Sequence, residues 1–305
     1  MLDQYILRVT ELNPNVIVRE ASLNDSDAFI ALFNKHYNRK TSFEYYQWQF
    51  FDSAILSKLF VAFEADVLIG MYGVKVHPLS TGELTGFVID FLVDEEYRKR
   101  GIAFLLEGVA QQFGIENNIA VFTALPNKYG NAALRSMGWK SVAKVDSLLL
   151  KLEDYQVSLT NESISLDIHP LICFVKDAKY QQWRYSKHPV YKYEIIKAKN
   201  VAYAVVKQFK DGVSGDVFGD IVYIKCPIAD FDSLFELILV KMREWNIKSV
   251  TTWALPHTTL YNSLMQKGFC SNAQERYFCV NTFQNNDKYL TINNWDLVQI
   301  DAEIF

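Results

Sequence analysis

Apolar positions follow two different periods along this chain. Around residues 16–19, 59–63, 67–76 and 84–93 they form short blocks rich in β-branched and aromatic side chains, which predict strands. Ala65-Asp66 supplies a tight turn between the second and third blocks. The period then changes: Ile102, Leu105, Leu106, Val109 and Phe113 recur at helical spacing and predict a helix that buries one face. Earlier helices are expected after Ser22, which is placed to cap with Asp25 three residues on, and over residues 43–50. A strand at 120–125, a short helix at 128–137 closed by Gly138 and a strand at 142–150 complete the unit. The fold class this predicts is α/β, a mixed central sheet flanked by helices.

The second half repeats the scheme. Ala124-Leu125-Pro126 stands 130 residues before Ala254-Leu255-Pro256, and at the same offset Leu134 matches Leu264, Gly138 matches Gly268 and Trp139 matches Phe269. Asp90 falls opposite Asp220, and at a nearby offset of 135 Tyr45 and Trp48 match Tyr180 and Trp183. Duplication of one α/β unit explains such a repeat. It divides the chain into domains at 1–155 and 156–305, with the boundary in the polar run 154–167.

Length and charge narrow the classes. The 305 residues suffice for two domains, and half of them are hydrophobic. With 31 basic and 35 acidic residues the net charge is -4, which speaks against a broad nucleic-acid surface. Cys173, Cys226, Cys270 and Cys279 form no CxxC pair and have no His or Cys at metal spacing, so no metal is expected. No apolar stretch reaches membrane-spanning length, and the opening residues lack a basic leader region. The expectation is a cytoplasmic protein with reduced thiols and no membrane partner.

The strongest chemical signal is the run from Val93 to Ala103. A buried strand gives way to a charged turn carrying Arg98, Lys99 and Arg100, and Gly101 then opens an amphipathic helix. Gly101 lets backbone amides approach a ligand closely, and the free N–H groups of Ile102 and Ala103 favour an anion. Two readings of these residues stand side by side, a pyrophosphate site and a solvated basic turn with an ordinary cap.

Arg98, Gly101 and Ala103 resemble the acyl-CoA signature of the GNAT acyltransferase superfamily, in which Arg or Gln is followed after two residues by Gly and then by Gly or Ala. The flanking strand and helix, the later Ala124-Leu125-Pro126-Asn127 and the Gly138-Trp139 pair match in order over residues 16–150. The resemblance implies tandem GNAT-like domains. Residues 1–155 would bind acetyl-CoA or another short-chain acyl-CoA as cosubstrate, and residues 156–305 would form a degenerate domain helping to build the acceptor cleft. It implies that amides from Arg98 to Ala103 hold the pyrophosphate. It also implies that the strand ending at Val93 pairs with the pantetheine arm, and that the strand before Asn127 splays from it. In the second half Ile228, Phe231 and Ser233 stand opposite the three signature residues, so one cofactor site per chain is expected.

The implied activity is N-acyl transfer to a small-molecule amine. Asp90, a carboxylate in an apolar strand, is the first candidate base, because apolar surroundings raise a carboxyl pKa. Capping a bulge is its other reading. The superfamily's usual tyrosine acid falls on Leu134, so that proton must come from Tyr129, from water or from the amine itself, while Asn127 either contacts the pantetheine or water or caps its helix. The tail from Leu290 to Phe305 and the stretch Trp183, Arg184, Tyr185 and His188 resemble tandem enzymes that acylate nucleotide-linked amino deoxysugars, which makes such a sugar the expected acceptor. Two alternatives stay open, a peptide or metabolite amine as acceptor and a noncatalytic acyl-CoA-binding regulator.

Overall fold

The computed structural model describes residues 2–37, 40–155, 171–198, 201–211, 214–283 and 286–302. In chain order its elements are α1 (Leu2–Leu12), β1 (Val16–Glu20), α2 (Ser26–His36), α3 (Phe43–Phe50), β2 (Ser57–Glu64), β3 (Val67–Pro78) and β4 (Leu84–Val93). Next come α4 (Ile102–Glu116), β5 (Val121–Ala124), α5 (Lys128–Ser136), β6 (Lys140–Lys151), α6 (Ala178–Gln181), β7 (Tyr193–Lys197) and β8 (Tyr203–Lys210). The chain closes with β9 (Val217–Lys225), α7 (Phe231–Glu244), β10 (Ser249–Trp253), α8 (Thr259–Gln266) and β11 (Cys270–Thr282).

Contacts gather the chain into two compact units. The first holds Met1–Ala143, Val175–Trp183 and Tyr277–Leu290, and the second holds Lys144–Phe174, Arg184–Arg276 and Thr291–Phe305. This division differs from a single cut at 155/156: residues 144–155 group with the second unit, and two later segments group with the first. The polar run 154–167 lies mostly outside the described residues, as does the end of the tail, Glu303 to Phe305.

In the first unit, β1 to β4 pair as antiparallel neighbours, β4 runs parallel to β5, and the end of β11 closes the sheet antiparallel to β5 from Cys279↔Ala124 to Thr282↔Val121. Helix α4 covers one face, where Ile102, Leu105, Leu106 and Ala110 join a core with Tyr72, Val74, Phe122 and Trp139. On α3 and the returning segment a smaller aromatic cluster forms from Tyr45, Trp48, Tyr180 and Trp183. The two indoles stack at 4.4 Å, and each ring N–H donates to the other residue's carbonyl, at 3.3 and 3.2 Å. Tyr45-Trp48 and Tyr180-Trp183, alike in sequence, therefore meet in space.

The second unit repeats the plan with β10 antiparallel to β6 and parallel to β9, followed by antiparallel β8 and β7. Helix α7 buries Phe231, Leu234, Phe235, Ile238, Leu239 and Met242. The pairing of Asp90 with Asp220 does not hold. Asp90 sits in a bulge of β4, whereas the extra residue of β9 is Val222, between Ile221 and Tyr223. Asp220 lies before that bulge and forms a buried ion pair with Lys207 at 2.8 Å.

Candidate functional site

The site begins where β4 and β5 separate. Their parallel pairing runs from Thr85↔Val121 to Val88↔Ala124 and stops there. On its other side β4 stays bonded to β3, but the register slips: Gly73 faces Ile89 and Met71 faces Leu92, so Asp90 and Phe91 together oppose Tyr72. Asp90 takes φ +47° to make this bulge, a left-handed conformation that Asp tolerates better than most side chains. Beyond Ala124 the chain turns through Leu125 to Pro126, whose carbonyl accepts from Tyr277 of β11 at 3.0 Å. The edge of β4 from Ile89 to Val93 is thereby left without β5.

The turn after Val93 is pinned from several sides. Asp94 accepts from Lys35 of α2 at 2.9 and 3.1 Å and from the Glu96 amide at 3.2 Å. Burial opposes ionisation of Asp94, yet these donors outweigh it and hold the carboxyl below its ordinary range. Arg98 is exposed and its Nε donates to the Val93 carbonyl at 3.2 Å. Lys99 and Gly101 have φ +64° and +84°, and α4 starts at Ile102. The consequence is a run of five backbone N–H groups, from Lys99 to Ala103, that meet no acceptor among the described residues. Successive donors in a turn with left-handed residues, at the start of a 15-residue helix, form a concavity of the kind that suits an anion. Arg100 contributes only its backbone, because its guanidinium is committed to Glu64.

The corresponding turn of the second unit offers no such concavity. Ile228–Asp230 forms a single 3-10 turn that leads directly into α7, and Phe231, the first helical residue, is buried. Among the described residues 226–231, which lead into that helix, none is left-handed.

The other expected site residues are dispersed. Tyr129 is 84% exposed on the first turn of α5. The Asn127 side chain accepts from the Gly130 amide at 2.9 Å, an N-cap. Trp183 is interior to the first unit's aromatic cluster, and in the second unit Arg184 and Tyr185 are buried. None of residues 183–185 presents its side chain at the surface. His188 Nδ1 accepts from the amides of Val190 and Tyr191, both at 3.1 Å, and closes a turn. Among the described residues no group of three His, Cys, Asp or Glu side chains is placed to hold a metal ion, and no helix is long and apolar enough to cross a membrane.

Sequence reading missed Glu107, which is completely buried on α4 behind the splayed strands. It accepts from Tyr72 at 2.5 Å, Trp139 Nε1 and Gln111 at 2.8 Å, and Asn281 at 3.4 Å. Burial pushes its pKa up against the pull of these donors. The available signal was its place among small residues at helical spacing, Ala103, Ala110 and Gly114.

Residues 26–139 match the model of the Acetyltransferase (GNAT) family. No curated protein sequence matches the chain. Among solved structures, a GCN5-related N-acetyltransferase from Anabaena variabilis aligns over 88% of this chain and 73% of its own at 13% identity and TM-score 0.63. A GCN5-related N-acetyltransferase from Kribbella flavida aligns over 88% and 71% at 9% identity and TM-score 0.61. A tandem GNAT protein from the clavulanic acid biosynthesis pathway aligns over 89% and 100% at 14% identity and TM-score 0.52. At these identities the structural likeness establishes the fold, α/β with tandem GNAT-like units, and the family match covers most of the first unit.

Proposed function

We propose that this chain is an acyl-CoA-dependent N-acyltransferase whose acceptor is a small-molecule amine. The observation that carries the reading is the run of free N–H groups at Lys99 to Ala103, next to the unpaired end of β4. An anion site beside an open strand edge suits a ligand with a pyrophosphate at one end and amide groups along its arm. The family match at residues 26–139 supports that ligand being an acyl-CoA.

When bound, acyl-CoA supplies a thioester carbonyl already activated toward amines. The protein's share is to bind, orient and manage protons. Lys99 to Ala103 donate to the pyrophosphate, with Arg98 and Lys99 adding positive charge. Ile89 to Val93 offer backbone groups to the pantetheine amides. Asp90, half-buried in the bulge, accepts the proton that the attacking amine sheds. The departing thiolate takes its proton from water or from that same store, because Leu134 has no proton to give and Tyr129 lies out in solvent.

For the acceptor, a nucleotide-linked amino deoxysugar is the class to test first. It rests on the resemblance of the tail and of the stretch from Trp183 to His188, of which residues 183–185 are interior. The buried Leu134, standing where a tyrosine acid is usual, favours one second reading, a noncatalytic acyl-CoA-binding regulator. Thiol release from acetyl-CoA across a panel of amino-sugar nucleotides, polyamines, peptides and amino acids separates the two. Acceptor-dependent release with any amine supports the transferase, and CoA binding with no release over the whole panel supports the regulator.

A further inference from the structure

We propose that Asn13, at the end of α1, is a positioning residue for the pyrophosphate turn, an inference that rests on the acyl-CoA reading above. No sequence signal tied the N-terminal helix to this turn, yet the two are in direct contact. Asn13 is buried and its side chain makes three hydrogen bonds. Its Nδ2 donates to the carbonyl of Arg100 at 3.0 Å and to the carbonyl of Val9 at 2.8 Å, and its Oδ1 accepts from Arg100 Nε at 3.3 Å. Its own backbone is fixed as well, with the Asn13 amide donating to Thr10 and the Val16 amide to Asn13.

The geometry of the peptide unit turns this contact into a function. In a trans peptide the C=O and the following N–H point in opposite directions. Holding the Arg100 carbonyl inward against Asn13 therefore aims the Gly101 N–H outward. The hold matters because this peptide leads into left-handed Gly101, one residue after left-handed Lys99, and such turns have an alternative in which the peptide plane rotates. Rotation here would leave the buried Asn13 amide facing another donor, which is costly. Two further contacts reinforce the arrangement. Val9 packs where a Cβ on Gly101 would lie, 2.5 Å from its Cγ1, so the turn rests on the helix with no room for a side chain. Glu64, the last residue of β2, holds the Arg100 guanidinium beside Asn13. Asn13 thus touches none of the ligand and sets the direction of a donor that does.

The test compares CoA with pantetheine, which lacks the pyrophosphate and nucleotide. CoA affinity is read by calorimetry and pantetheine affinity by ligand-observed NMR in the millimolar range. The proteins are the wild type, Asn13→Ala and Asn13→Leu, the last keeping the side-chain volume in case the smaller variant folds poorly. The expected result is a CoA Kd raised about 10-fold in both variants, the scale of one misdirected hydrogen bond to a charged group, with pantetheine affinity unchanged. An unchanged CoA Kd in folded Asn13→Leu overturns the proposal, as does an equal loss for both ligands, which marks a general packing role. Failure of the wild type to bind CoA more tightly than pantetheine shows instead that the acyl-CoA reading is wrong, and the proposal falls with it.

Discussion

Asp90 carries two demands at once. Its φ of +47° makes the bulge that turns the end of β4, and its half-buried carboxylate is the candidate base at that place. Asn tolerates the left-handed region as well as Asp does. Asp90→Asn is therefore expected to keep the fold and the KM for acetyl-CoA while kcat falls roughly 100-fold or more, the usual worth of a general base. Steady-state kinetics with each substrate varied in turn provide the check, and an unchanged kcat removes Asp90 from the chemistry. Much of this was legible residue by residue: a carboxylate inside an apolar strand and a glycine after a basic run are unusual choices that local physics marks. Burial was not legible in the same way. Trp183, Arg184 and Tyr185 read as a ligand-facing group because their types suit sugars and phosphates, but side chains in the clusters that bury Trp183 and Tyr185, such as Trp48, Val222 and Ile300, stand far away in sequence.

Strands and helices explain why the turn works. The helical period of α4 and the apolar block of β4 were both visible in the pattern, because each depends on its own side chains. Helix α1 was not anticipated, and neither was the closure of the first unit's sheet by β11, since both are decided by distant partners. Glu107 belongs to this scale, because it ties α4 to Tyr72 of β3, to Trp139 and to Asn281 of β11. Burial raises its pKa, so folding favours its protonated form. The sign follows: its contribution to stability is full below the ordinary glutamate range and is lost as pH rises through the raised value. Gln in its place can donate to the Tyr72 oxygen and accept from Trp139, Gln111 and Asn281 with no buried charge. Glu107→Gln is expected to be more stable than the wild type at pH 8, where the wild type must bury a carboxylate or keep a proton against solvent. The difference should shrink toward pH 4 in urea unfolding. A Gln variant less stable at pH 8 contradicts a preference for the protonated form.

At the scale of the whole molecule the chain is a duplicated unit whose copies have diverged. The repeat of Ala-Leu-Pro and of the Gly-aromatic pairs was readable in sequence, and both units share the plan of a parallel strand pair inside an otherwise antiparallel sheet. Only the first has left-handed Lys99 and Gly101 before its long helix, while the second plugs the same place with Phe231. The account therefore requires one CoA per chain, bound at the first unit's turn. Calorimetric titration of CoA into the wild type and into Gly101→Val tests this most directly. Valine cannot take φ +84° without strain, and its side chain would run into Val9. The account predicts a stoichiometry of about one per chain for the wild type and a Kd at least about 30-fold weaker for folded Gly101→Val, roughly 2 kcal/mol of lost donor geometry. Two equivalents per chain, no binding, or equal affinity in the variant would contradict it.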